Sequence, residues 1–152
     1  MSPPHLSLLA VLILVVGLWL LALVITPLYG WRNWARAYPA PSRAPHVRFL
    51  MRSGYVGRAR YGSALNLGVS NEGLHLSVPL LFRIGHPPVV VPWSDISVVG
   101  KRGSYSTWVE YQFAKVPKST LRIRKDVAEA ISRASGGALT LPEGSRVGAR
   151  LK

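Results

Sequence analysis

Twenty consecutive residues, Leu6 to Ile25, carry no charge, and Ser7 is the only clearly polar side chain among them. A helix of that length rises about 1.5 Å per residue and covers roughly 30 Å, the hydrocarbon thickness of a bilayer. It satisfies its own backbone hydrogen bonds, as lipid demands. Such a run exceeds what a small soluble domain buries as a core helix. A cleaved signal peptide has a positive n-region, a shorter apolar core and a small-residue cleavage site. Here Met1-Ser2-Pro3-Pro4-His5 holds no Lys or Arg, and Thr26-Pro27-Leu28-Tyr29 is a poor cleavage site. The sequence therefore predicts a retained transmembrane helix over 6–26. It has no Gly-x-x-x-Gly pair, Gly17 standing alone, so no helix-dimer face is expected.

Charge orients the helix. The 152 residues include 19 Lys+Arg and 6 Asp+Glu, a formal net charge of +13, and every Lys and Arg follows Ile25. Basic residues flanking a span stay on the cytoplasmic side. The expected placement is a single pass through the cell (inner) membrane, N-terminus outside and C-terminal domain in the cytoplasm. The absence of cysteine excludes disulfide scaffolds and cysteine-based zinc sites. The length leaves room for one small domain after the anchor.

Residues 27–60 read as a juxtamembrane linker. Tyr29, Trp31, Trp34 and Tyr38 are expected as membrane-interface anchors, since aromatic rings sit at headgroup level. Trp31, Trp34, Ala35 and Tyr38 fall at i, i+3, i+4 and i+7, one face of a short amphipathic helix. Pro39, Pro41 and Pro45 then stiffen an extended spacer. Arg32, Arg36, Arg43, Arg48, Arg52, Arg58 and Arg60 make an acid-free block. Near a membrane such residues attract anionic lipid at about 1 kcal/mol each. Lys101 and Arg102, in a hairpin turn, are a candidate second patch. Nucleic acid is a weaker partner, because no RNP, zinc-finger or Gly-x-x-Gly signature accompanies the charge.

From Tyr61 the hydrophobic period becomes two. Leu65, Leu67 and Val69 alternate with polar or small residues, Asn71-Glu72-Gly73 turns the chain, and Leu74, Leu76 and Val78 alternate again. Leu80 to Ile84, Val89 to Val91, Ile96 to Val99, Val109 to Phe113 and Leu121 to Ile123 follow, divided by Gly and Pro breaks. Six or seven short strands are expected, in a barrel or sandwich. Val127, Ala130, Ile131 and Ala134 then form a helical stripe, with Asp126 placed to cap it and Gly136-Gly137 to stop it. Residues 136–152 read as a flexible basic tail.

Three segments resemble bacterial PH-like and GRAM-like domains: Val69-Ser70-Asn71-Glu72-Gly73-Leu74-His75-Leu76 their opening hairpin, Val91-Pro92-Trp93-Ser94-Asp95-Ile96 their Trp-x-Asp-Ile segment, and Leu121-Arg122-Ile123 their last strand. The resemblance spans about residues 61–135. It implies a bent antiparallel sheet or barrel capped by one C-terminal helix, and a membrane-associated binding role. The C-terminal helix lacks the tryptophan common in eukaryotic PH domains, and the first hairpin loop has no basic cluster for a phosphoinositide.

No residue pattern in the sequence carries a catalytic or metal-binding signature. His5, His46, His75 and His86 have no partner at metal-ligand spacing, so no metal or other cofactor is expected. Ser70 is one residue off a Gly-x-Ser-x-Gly elbow and precedes a strand rather than a helix. Glu72 and Asp95 sit where turns want carboxylates. The sequence thus points to a non-enzymatic membrane protein that binds a membrane-protein partner or anionic lipid; the alternative is an accessory subunit of a membrane complex. A reporter active only outside the cytoplasm, fused after Lys152, is expected to be silent; activity overturns the orientation.

Overall fold

The computed structural model describes residues 4–99 and 107–142, the side chains of Leu6 and Tyr29 excepted. The apolar run forms a helix, α1 (Pro4–Ile25), that continues as a 3₁₀ turn over Thr26–Tyr29. Among the described residues one helix, Ser7–Leu28, is long and apolar enough to span a membrane, and it stands near the N-terminus. Its side chains are exposed almost throughout.

A second helix, α2 (Trp31–Ala37), begins one residue later, after Gly30. Seven strands follow: β1 (Val47–Val56), β2 (Ala59–Val69), β3 (Gly73–Ser77), β4 (Val89–Pro92), β5 (Ile96–Val99), β6 (Trp108–Phe113) and β7 (Thr120–Arg124), then α3 (Lys125–Ala134). They make one antiparallel sheet in the order β4-β3-β2-β1-β7-β6-β5. Because β1 pairs with both β2 and β7, the sheet curls into a nearly closed barrel with its opening between β4 and β5.

The hairpin expected around Asn71-Glu72-Gly73 is β2–β3, with Leu67 opposite Leu76 and Val69 opposite Leu74. The helical stripe near the C-terminus is α3, which buries Val127, Ala128 and Ile131. Asp126 does not cap it; its carboxylate accepts from Arg124 Nε at 3.2 Å instead. Gly136 and Gly137 end it at φ 64° and 86°, the left-handed region that glycine enters without a Cβ penalty.

Three expectations about segments of the chain are corrected first. The 27–60 segment is not a linker. All of β1 and the first residues of β2 lie within it, and Val56 and Ala59 are buried in the core. The reason is irregular pairing: β1 shifts register between Phe49 and Arg52 and again between Arg52 and Gly54, so no clean alternation reaches the sequence. Leu80 to Ile84 is not a strand but a 3₁₀ turn at Leu80–Phe82 within the β3–β4 loop, entered from Pro79. The tail is ordered at its start, since Leu139 is buried and its carbonyl accepts from Ser132 Oγ at 2.8 Å.

The largest correction concerns the aromatic residues. Trp31 and Trp34 are 0% exposed and Tyr38 is 1% exposed. They form the amphipathic face the spacing predicts, but that face points into the barrel. Trp34 meets Phe113 at 4.7 Å between ring centroids, and Trp31 meets Tyr61 at 5.8 Å. A stripe of this period demands an apolar partner without specifying lipid or protein. The β4–β5 opening supplies protein. Just after α2, the Pro39 carbonyl accepts a hydrogen bond from Val90 N–H on the edge strand β4 at 3.2 Å, satisfying one donor of that edge. Inside the core, Trp34 Nε1 and Tyr111 Oη have no hydrogen-bond partner among the described residues. Trp34→Ala is therefore expected to cost about 3–5 kcal/mol of domain stability by denaturant titration. A loss under about 1 kcal/mol contradicts a core role.

Candidate membrane-facing site

The end of α1 and the barrel meet through close packing, with glycine where space is shortest. A Cβ at Gly30 would lie 2.8 Å from the Val56 carbonyl oxygen at the end of β1. The two-residue β1–β2 hairpin turn, Gly57-Arg58, is therefore held at the foot of the helix. Gly57 takes φ 58°, which suits a tight hairpin, and its N–H donates to Thr120 at 2.8 Å. A Cβ at Gly85 in the β3–β4 loop would lie 3.1 Å from Pro27 Cγ and 3.4 Å from the Leu23 carbonyl oxygen. Trp31 Nε1 donates to the Pro87 carbonyl at 2.9 Å, tying the same loop to the start of α2. Two loops thus share one end of the barrel with the end of α1.

The arginine block divides on this frame. All seven are exposed, and none has an acidic partner among the described residues. Arg32 directly follows the α1–α2 junction, and Arg58 and Arg60 flank the hairpin turn packed against Gly30. Arg36 lies one helical turn further on. Arg52 is mid-strand. Arg48 pairs opposite Gly68. Eight residues of strand, roughly 26 Å if straight, separate it from Val56. Arg43 adjoins Ser42, whose hydroxyl donates to Glu72 at 2.7 Å beside the β2–β3 turn. Arg43 and Arg48 therefore sit towards the opposite end of β1. Lys101 and Arg102 lie outside the described residues, as does the Tyr29 side chain.

Sequence reasoning missed one basic residue at the anchor end, Arg83, exposed in the β3–β4 loop. Its signal was present: it is the only charge within the apolar run Leu80–Ile84.

Two buried histidines hold this architecture. His86 Nε2 lies 2.9 Å from Tyr61 Oη and its Nδ1 lies 3.2 Å from the Ile84 carbonyl. A neutral ring with the proton on Nδ1 serves both, donating to Ile84 and accepting from Tyr61. The ring also packs against Trp31 at 5.4 Å. His75, expected on a polar strand face, is buried with its Nε2 2.7 Å from Ser70 Oγ. This Ser–His pair closes a turn. Ser70 Oγ already accepts from the Glu72 and Gly73 amides at 3.1 and 3.3 Å, leaving no poised nucleophilic lone pair, and Glu72 bonds Ser42 rather than orienting His75. Asp95 sits in a 3₁₀ turn and accepts from Tyr38 Oη at 3.2 Å. Trp93 Nε1 donates to Ser70 O at 3.0 Å, and Trp108 packs edge-on to Tyr55. Among the described residues no three His, Asp or Glu side chains converge as metal ligands.

Desolvation is the main force holding both histidine pKa values below the ordinary 6.5. It is opposed at His86 by the Ile84 and Phe82 carbonyls, and at His75 by Glu72. The unfolded chain then binds protons that the fold refuses. Their stability contribution is present above about pH 6.5 and is lost as pH falls below it. Unfolding free energy is expected to decline from about pH 6.5 to 5, above the carboxylate range. The variant His75→Gln/His86→Gln should flatten that slope; an unchanged slope assigns it elsewhere.

Comparison of the chain with family models, with curated proteins and with solved structures returned no match.

Proposed function

We propose that this chain is a single-pass inner-membrane protein whose cytoplasmic, PH-like β module binds anionic lipid headgroups without catalysing a reaction. The observation that carries the reading is the gathering of Arg32, Arg58 and Arg60 at the end of the barrel from which α1 departs. They are exposed and, among the described residues, have no acidic partner. Anionic headgroups supply the missing countercharge, and the positive-inside bias puts this end at the leaflet richest in them. Seven antiparallel strands followed by one helix, over residues 47–134, are in keeping with the PH-like resemblance, which begins at residue 61 within β2. Arg43 and Arg48, towards the other end of β1, lie well beyond a Debye length of about 8 Å from the anchor junction and contribute little.

The full chain in mild detergent, titrated with phosphatidylglycerol or phosphatidylcholine, tests this by its unfolding midpoint. A ligand that binds only the fold stabilises it by about 2.7 kcal/mol at a hundredfold excess over Kd. Phosphatidylglycerol is expected to stabilise and phosphatidylcholine not. Arg32→Gln/Arg58→Gln/Arg60→Gln removes about 3 kcal/mol of attraction, roughly a hundredfold in affinity. Arg43→Gln/Arg48→Gln should change affinity far less. Equal effects of the two lipids, or of the two variants, sink the reading.

A further inference from the structure

The β3–β4 loop carries three large apolar side chains pointing away from the barrel: Leu80, Leu81 and Ile84 are 78%, 63% and 62% exposed. Phe82, between them, turns the other way and packs on the core. We propose that this loop is a second membrane-inserting element, burying Leu80, Leu81 and Ile84 in the leaflet into which α1 exits. The inference rests on the reading of α1 as a membrane span.

Position is the first argument. Gly85 lies against Pro27 and the Leu23 carbonyl. Leu23 is five residues inside the end of the apolar span Ser7–Leu28. With α-helical and 3₁₀ rises, that is roughly 9 Å deep, within the 5–10 Å to which interfacial elements penetrate. If α1 spans, the loop is at acyl-chain depth already. The occupant of its apolar face is then the lipid around the helix.

Backbone chemistry is the second argument. Polar backbone groups entering lipid must be satisfied internally. Phe82 N–H donates to Pro79 at 2.9 Å, Arg83 N–H to Leu80 at 3.2 Å and His86 N–H to Arg83 at 3.0 Å. Pro79, Pro87 and Pro88 have no N–H to satisfy. The loop thus closes much of its own hydrogen bonding. Arg83, its one charge, has a stem long enough to run along apolar surface and carry the guanidinium up to the phosphates. The loop is also braced from behind: Trp31 binds the Pro87 carbonyl, and His86 is wedged between Trp31 and Tyr61.

The chain has no cysteine, so a single introduced thiol is labelled without background. Full-length Leu81→Cys, Ile13→Cys (mid-α1) and Asn71→Cys (the β2–β3 turn) are each labelled with an environment-sensitive fluorophore. They are reconstituted at no more than one chain per vesicle in neutral phosphatidylcholine, with or without nitroxide lipid. Neutral lipid removes headgroup attraction, and dilution removes second copies. The label at Leu81 is expected to shift to the blue and lose most of its emission to a shallow nitroxide, the label at Ile13 to a deep one, and the label at Asn71 to neither. A quenched Ile13 label with a water-like Leu81 label overturns the loop insertion while leaving the span intact, and gives the apolar face to a protein partner. A water-like Ile13 label overturns the span and the loop together. Quenching at Asn71 equal to that at Leu81 overturns selective insertion.

Discussion

The packing of one helical stripe, Trp31, Trp34 and Tyr38, into the β4–β5 opening is the contact on which the rest of the molecule depends. The sheet is nearly closed but not self-sufficient; its core includes the three rings of this stripe as fully as it includes Leu65, Phe113 or Ile123. Tyr38 locks the far end of α2 polar-wise as well, donating to Asp95 while accepting from the Lys115 amide at 3.1 Å. The helix that fills the barrel is also the continuation of the apolar helix α1. A single residue, Gly30, separates α2 from the 3₁₀ turn that ends α1, and it is pressed against β1. There is no slack between anchor and domain, so the face that the barrel presents at the foot of the helix is set by packing rather than by a tether.

That constraint explains which parts of the architecture were legible in the sequence. Strands with one buried face, such as Val109 to Phe113, state their period directly, and α3 states its own. The 3.6-residue spacing of Trp31, Trp34 and Tyr38 correctly marks a helix. What the spacing cannot encode is the identity of the apolar partner, because an aromatic face is equally content against acyl chains or a β-barrel. Proximity to a transmembrane run suggests lipid, while the open sheet edge, formed by residues some fifty positions later, makes it protein. β1 is hidden for a different reason. Two register shifts and Met51 at φ 54° break its alternation, and its arginines make it look like linker. The arginines lose their grouping for the same reason: a block contiguous in sequence is strung along a strand that leads away from the anchor.

The buried histidines show how polar groups near this junction are kept in order. His86 and Tyr61 satisfy each other where Trp31 and the β3–β4 loop converge, and burial holds both groups neutral, raising the Tyr61 hydroxyl well above its ordinary range. His75 and Ser70 form the corresponding pair at the β2–β3 turn. The two pairs belong to the two connections that flank β3, which lie at opposite ends of the barrel. One pair secures the connection beside the anchor, the other the connection remote from it.

A lone helix leaves a small domain free to spin about the helix axis and to tilt at the surface. Close packing at Gly30 and Gly85 removes the hinge, and if α1 spans a membrane as proposed, the orientation of the barrel there follows from whatever else it places at the same level. Two kinds of side chain meet that description: cations that seek phosphate, Arg32, Arg58, Arg60 and Arg83, and the leucines and isoleucine of the β3–β4 loop. Their combination is physically coherent. Hydrophobic insertion is insensitive to salt and fixes depth, whereas charge attraction is screened within about 8 Å and selects the leaflet. A basic surface alone would hover over the headgroups, and an apolar loop alone would accept either leaflet. If α1 spans a membrane as proposed, their placement together at its exit leaves the barrel one depth, one leaflet and one face towards the lipid, with the β2–β3 turn and Arg48 directed away from that contact.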